Sequence, residues 1–180
     1  FNKDVSLAIT EHYLPTGLDS KTPKKPFSIA LALADKIDTL VGFFAINLKP
    51  TSSKDPYALR RSALGVIRLL TDNNKEFNLR DLINYSISLH RDQGFEISND
   101  SIQKELANFL LDRLKYYMKE KNIRADIINA SINSDGIDHL NKIYRKGSTL
   151  DKVINKKIGE DIVASYKRAS NILDNELKNS

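Results

Sequence analysis

Residues 27–44 read FSIALALADKIDTLVGFF, and this stretch decides the class of fold. Its apolar side chains recur at spacings of three and four, the period of a helix face that packs on a core. Prolines before the stretch and at position 50 favour irregular chain on both sides of it. The stretch therefore predicts a buried helix, with the following core residues: Ala30, Leu33, Ala34, Ile37, Leu40, Val41 and Phe44.

The same period continues through four further segments, 55–70, 78–90, 98–117 and 158–173. Asp55 and Pro56 are typical of a helix start. Shorter helices are predicted at 125–131 and 137–145, with a loop at 146–148 before the last helix. No segment alternates with period two, so we expect an all-α, irregular multi-helix bundle.

The sequence indicates one weak boundary between two parts of the chain. Gln93 and Gly94 begin a loop, which divides the chain into a block at 1–92 and a second block at 93–180. The two blocks are also compatible with packing as one unit.

Composition excludes several kinds of site. The 180 residues include no cysteine, which excludes disulfides, cysteine-ligated zinc, iron–sulfur clusters and thiol nucleophiles. The longest apolar run, 29–48, contains Asp35, Lys36 and Asp38, so we expect no membrane span and no membrane partner. No export signal is recognisable, and a chain that starts at Phe1 is expected to be part of a longer protein.

Charge gives a weak indication of a partner. Lys and Arg number 28 against 23 Asp and Glu, a formal net charge of +5. A mild excess of this kind favours a polyanion such as RNA. A solvated surface without any partner explains the same balance and is the commoner case.

A pair of carboxylates is the first candidate site. Asp35 and Asp38 lie three residues apart on the predicted helix and so share one edge of it. Such a pair can hold a divalent ion or do acid–base chemistry, and the sequence around Asp35 resembles the last metal-ligand segment of HD-domain phosphohydrolases. The His-Asp doublet of those enzymes is missing, and His12 is the only upstream histidine. The alternative is that both aspartates form ion pairs or accept loop N–H groups.

A row of cations is the second candidate. Lys54 precedes a predicted helix, Arg61 and Arg68 are seven residues apart on nearly one face of it, and Arg60 lies on a neighbouring edge. These side chains can bind phosphates. Equally, they can clamp Asp35, Asp38 or Asp55 between helices, and the residues alone leave both interpretations open.

Two aromatic clusters are weaker candidates. Tyr166, Lys167 and Arg168 can contact an RNA backbone, although decoration of a terminal helix explains them as well. For Tyr116 and Tyr117 we expect one core ring and one exposed ring rather than a platform for bases.

Four segments carry a resemblance to a known family. Residues 11–15 (EHYLP), 32–44 (ALADKIDTLVGFF), 49–68 (KPTSSKDPYALRRSALGVIR) and 166–173 (YKRASNIL) resemble the β subunit of bacterial glycyl-tRNA synthetase, in the same order. The resemblance implies the end of that subunit's HD-like domain and the helical region that leads to its anticodon-binding domain. It also implies that the HD fold is kept without its hydrolase site.

The resemblance further implies a cytoplasmic α2β2 ligase that attaches glycine to tRNA(Gly). Its α subunit would hold the catalytic site with ATP and Mg²⁺, while this chain would carry no catalytic residue, metal or cofactor. The candidates for contact with tRNA are then Lys54, Arg60, Arg61, Arg68, Lys167 and Arg168. The candidates for structural ion pairs are Asp35, Asp38 and Asp55, with a pair between Asp35 or Asp38 and Arg60 or Arg61 as the specific expectation.

Two rival functions make different predictions. A metal-dependent HD phosphohydrolase requires an ion such as Mn²⁺ at Asp35 and His12. A subunit-interface scaffold without RNA contact requires exposed apolar patches on the helix at 99–118.

Overall fold

The fold consists of α-helices, as predicted. The computed structural model describes residues 2–97, 99–132 and 138–178, and this part contains eight helices and no strand. The helices are α1 (Lys3–Glu11), α2 (Pro26–Ala45), α3 (Leu59–Asp72), α4 (Leu79–Asp92), α5 (Asn99–Glu120), α6 (Ala125–Ile132), α7 (Leu140–Ile154) and α8 (Lys157–Lys178). No helix in these ranges is both long enough and apolar enough to cross a membrane.

Helix α2 lies at the centre of the fold and packs against α1, α3, α4 and α5. It begins at Pro26, where a missing N–H breaks no helical hydrogen bond. The predicted core stripe is confirmed except at Ala30 and Ala34, which are exposed. Ile29 and Ala32 are buried instead, so the buried face is turned slightly from the predicted one.

Helix α3 begins later than predicted. It starts at Leu59 rather than near Pro56, because Ala58 has a φ of 54° and turns the chain just before the helix. The predicted inward face is confirmed: Leu59, Ala63, Val66, Ile67 and Leu70 are all buried.

Helix α7 corrects the loop predicted at 146–148. The helix runs without interruption from Leu140 to Ile154; the start predicted at Ile137 lies outside the described residues. Gly147 serves for close packing, since a Cβ there would lie 2.3 Å from Met118 Cε and 3.0 Å from Ser131 Oγ.

The helices on both sides of residue 93 share one core. Buried side chains of α2, α3 and α4 pack in the same cluster as Leu106 and Leu114 of α5 and Ile143 of α7. On α5, Tyr117 is 2% exposed and Tyr116 is 43% exposed, so the expected core ring and exposed ring are confirmed.

Helix α8 is the exception, because it contacts α7 and leaves its apolar stripe in solvent. Ile158, Ile162, Tyr166 and Leu173 are each at least 59% exposed. The scaffold interpretation expected exposed apolar patches on α5, but most of the large apolar side chains of that helix are buried.

Candidate functional site

Three arginines meet in a pocket between α3, α5 and the loop before α2. The pocket has a volume of about 460 Å³. Its described lining residues include three guanidinium groups and no carboxylate. We call it the arginine pocket, and its lining consists of Thr16, Gly17, Leu18, Arg60, Arg61, Leu64, Arg113 and Tyr116.

The start of α3 positions two of these arginines. The Asp55 carboxylate accepts the backbone N–H of Leu59 at 2.8 Å and that of Arg60 at 3.0 Å. It therefore caps the first turn, where a negative charge is favoured by the helix dipole. The role of Asp55 at the helix start, predicted from Asp55 and Pro56, is therefore confirmed; its candidate role in an ion pair stays a prediction.

The loop before α3 also contacts the first arginine. The Arg60 guanidinium donates to the carbonyl of Thr51, and Thr51 and Lys54 bond to one another in a tight turn. Arg61 is exposed at the pocket. Lys54 is exposed on the loop and does not line the pocket.

Helix α5 supplies the third arginine, which the sequence analysis missed. The Arg113 guanidinium lies 5.9 Å from the ring centre of Phe109 and 5.7 Å from that of Tyr116, so two rings hold it. Its Nε is buried and has no hydrogen-bond partner in the described part of the chain. The spacing of these three residues, four and then three, places them on one helix face and was the available signal.

Arg68 turns inward and does not line the arginine pocket. Its side chain is buried, and it donates to the Gly17 carbonyl at 2.5 Å, to Thr22 Oγ1 at 3.0 Å and to Asp72 Oδ2 at 2.9 Å. Arg68 therefore clamps the loop before α2 onto α3. Arg68 thus acts as a structural clamp rather than as a phosphate ligand, but its acidic partner is Asp72 of the same helix and not the predicted Asp35, Asp38 or Asp55.

The specific ion pair predicted for the α2 carboxylates is not formed. Asp38 Oδ1 lies 3.1 Å from His90 Nε2, and among the ion pairs between described residues neither Asp35 nor Asp38 is joined to Arg60 or Arg61. The reason is geometric, since both carboxylates lie toward the groove between α2 and α4, whereas the arginines face α5.

Lys36, between the two aspartates, is a buried cation. Its Nζ donates to the carbonyls of His12 and Tyr13, each at 3.1 Å. Burial lowers the pKa of Lys36, and the Asp35 carboxylate partly offsets that effect. Gly65 of α3 makes room for the side chain, because a Cβ there would lie 2.5 Å from Lys36 Cε.

A metal centre at Asp35 and His12 finds no support. Within residues 2–97, 99–132 and 138–178, no group of three or more His, Cys, Asp or Glu residues is placed to hold a metal ion. The positive charge that contacts the backbone at His12 is the ammonium group of Lys36, which donates a hydrogen bond from α2 to the His12 carbonyl.

The remaining sequence candidates lie elsewhere. Lys167 and Arg168 are exposed on α8 and do not line the arginine pocket. Of the six predicted RNA contacts, the pocket therefore brings together Arg60 and Arg61 and adds Arg113.

Comparison with known proteins identifies the family. The family model described as "Glycyl-tRNA synthetase beta subunit" matches residues 1–133. Relatives named "Glycine--tRNA ligase beta subunit" include one from Ruegeria sp. (strain TM1040), 41% identical over 95% of this chain and 23% of its own length. Those from Rhodospirillum centenum and Rickettsia canadensis are 42% and 41% identical, each over 97% of this chain and 24% and 25% of their lengths. The chain spans about a quarter of these relatives, and it belongs to the glycyl-tRNA synthetase β-subunit family.

Proposed function

We propose that the chain is the part of a glycine–tRNA ligase β subunit that helps to bind and position tRNA(Gly), and that the arginine pocket holds backbone phosphates. Family membership supports the ligase and its tRNA substrate. The observation that carries the RNA contact is the convergence of Arg60, Arg61 and Arg113 without a carboxylate among the lining residues.

The chemistry of the pocket suits a phosphodiester. A guanidinium presents N–H donors in a planar fork that matches two phosphate oxygens. Arg113 lines the pocket, and its guanidinium carries N–H donors that an anion in the pocket can satisfy.

The rest of the assembly is part of the same proposal, and membership of the family supports it. In the proposed enzyme, an α subunit binds ATP and Mg²⁺ and forms the glycyl-adenylate, in an α2β2 tetramer in the cytoplasm. This chain contributes no catalytic residue and no cofactor ligand. Its role is to fix the RNA so that the reacting end reaches the α subunit, a contribution through orientation.

The test compares tRNA(Gly) affinity among charge-neutralised variants of the chain. Arg61→Gln/Arg113→Gln removes two phosphate donors, and each charged hydrogen bond is worth about 1.5–3 kcal/mol. We expect affinity to fall at least tenfold at low salt. The matched control is Arg80→Gln, an exposed arginine on α4 outside the pocket, which should change affinity less than twofold. Equal effects of the two variants would contradict the proposal.

A scaffold that joins subunits without touching RNA is the second candidate function. The exposed apolar stripe of α8 favours it, because isolated large apolar side chains are common on surfaces but a continuous stripe marks an interface. If this is the whole function, the chain binds no tRNA even at low salt, and Ile162→Asp abolishes association with the other subunit.

A further inference from the structure

The positive charge of the chain is concentrated in α7 and the start of α8. Residues 140–157 contain six basic side chains and one acidic side chain, a net charge of +5 that equals the net charge of all 180 residues. The basic residues are Lys142, Arg145, Lys146, Lys152, Lys156 and Lys157, and the acidic one is Asp151.

Three of these cations line one open cleft. Lys142, Arg145 and Lys146 follow the three-and-four spacing of one helix face, and each is exposed. The cleft has a volume of about 1060 Å³, and we call it the α7 cleft. Thr149 adds a hydroxyl to the same face.

The opposite face of α7 fixes this orientation. Leu140 and Ile143 are buried in the core, and Gly147 lets the helix approach Met118 and Ser131 closely. The cationic face therefore points outward on an element that the core holds in place.

Glu76 is the one carboxylate among the described residues of the α7 cleft. It accepts a hydrogen bond from Asn141 Nδ2 at 3.2 Å and lies 3.9 Å from Arg145 Nη1. The described lining of the cleft thus combines one carboxylate with three cations.

The α7 cleft and the arginine pocket lie toward opposite ends of α3. The arginine pocket lies at the first turn of α3, and Glu76 follows its last turn. Fourteen residues at about 1.5 Å each separate the two ends by roughly 20 Å.

We propose that the α7 cleft is a second phosphate-binding surface, which contacts another segment of the same RNA. The inference rests on the proposed function and extends it, because two separated cationic surfaces recognise the shape of a folded RNA rather than one nucleotide. A protein partner fits less well. Cores of protein interfaces are depleted in charge and rich in aromatic residues, and no Phe, Tyr or Trp is among the described lining residues of the cleft.

The experiment measures binding of a tRNA(Gly) transcript by the Lys142→Gln/Arg145→Gln variant across a salt series. Loss of two phosphate contacts predicts a decrease of about 1.4–1.8 in the log–log salt slope, which amounts to a fall of roughly 100-fold in affinity at 50 mM salt. The matched control is Lys152→Gln/Lys156→Gln, which removes two exposed charges near the cleft but outside its lining. We expect less than a twofold change for it. Far-UV circular dichroism and Tm confirm that each variant is folded.

The outcomes separate this inference from the proposed function. If the α7 variant behaves like its control while Arg61→Gln/Arg113→Gln still weakens binding, the α7 cleft is not an RNA surface and the arginine pocket stands. If neither variant weakens binding, both proposals fail. If the α7 variant loses affinity for poly-L-glutamate but not for tRNA, the partner is an acidic protein and the inference is overturned. If both sites bind RNA, the fold-losses of affinity should multiply in a variant that combines all four substitutions (Arg61→Gln, Arg113→Gln, Lys142→Gln and Arg145→Gln), since the two sites are distant from one another.

Discussion

The inward position of Arg68 predicts a large loss of stability on substitution. We consider Arg68→Met, which keeps most of the apolar stem and removes the guanidinium. The side chain is 9% exposed, and that of Asp72 is 24% exposed. The variant leaves the Gly17 carbonyl and the Asp72 carboxylate without their charged donor.

The magnitude follows from the degree of burial. Removing one partner of a fully buried ion pair costs about 3–5 kcal/mol, whereas an exposed pair is worth less than about 1 kcal/mol. The burial of the Arg68–Asp72 pair lies between these limits. In the variant the Asp72 carboxylate still accepts hydrogen bonds from the hydroxyls of Thr22 at 2.5 Å and Tyr117 at 3.3 Å, which reduces the cost. We therefore expect the free energy of unfolding to fall by about 2–3 kcal/mol.

The assay is urea denaturation followed by circular dichroism, with thermal unfolding as a second measurement. For a chain of this size the expected loss lowers Tm by about 4–12 °C. Arg61→Met is the matched control, because this arginine is exposed on the same helix, and it should cost less than about 0.5 kcal/mol. Equal losses for the two variants would refute the assignment of Arg68 to the interior and of Arg61 to the surface.

Two further predictions concern packing and pH. Gly65→Ala places a Cβ within 2.5 Å of Lys36 Cε, so the Lys36 side chain must shift from the carbonyls of His12 and Tyr13. This cost exceeds the gain of about 1 kcal/mol in helix propensity, and we expect a net loss of about 0.5–2 kcal/mol in urea denaturation. Gly17→Ala, with open space around it, should be nearly neutral, and the reverse order would contradict the packing described. Burial, reinforced by the Asp72 carboxylate, raises the pKa of Tyr117 to about 12, above its value of about 10 in the unfolded chain. The folded state therefore holds the Tyr117 proton more tightly than the unfolded chain does. The contribution of Tyr117 to the free energy of unfolding is complete below pH 10, and about 1–3 kcal/mol of it is lost as the pH rises to 12. Tyr117→Phe should reduce this loss, and an unchanged dependence of stability on pH in that variant would contradict the prediction.

The sequence predicted the helices where periodicity is unambiguous. The inward face of α3 is an example, since Leu59, Ala63 and Val66 are all buried as expected. Periodicity does not fix the rotation of a helix that is apolar on most of its circumference, which is why Ala30 and Ala34 of α2 were assigned to the wrong side.

Glycine misled the prediction in α7. A glycine beside Lys146 and Ser148 is typical of a loop, because glycine has a low helix propensity. In the structure the close approach of Met118 and Ser131 to Gly147 requires the absence of a side chain. That requirement depends on which helices meet, and local sequence carries no information about it.

The candidate site was predicted only in part for a similar reason. Arg60 and Arg61 were identified from their position at a helix start, and they line the arginine pocket. Arg113 comes from a helix distant in sequence, and Arg68 faces inward because the loop before α2 supplies acceptors for it. Both features depend on tertiary contacts. The spacing of residues along one helix therefore could not show which arginine lines the pocket and which is buried.

The salt dependence of tRNA(Gly) binding by the chain tests the central claim most directly. Three arginines that each neutralise a phosphate predict a log–log slope of about −2 or steeper, at 0.7–0.9 per contact. The α7 cleft adds to that value, and a preference over a non-cognate tRNA would add specific recognition. The absence of binding at low salt, or a flat dependence on salt, would contradict the account and leave the chain as a scaffold.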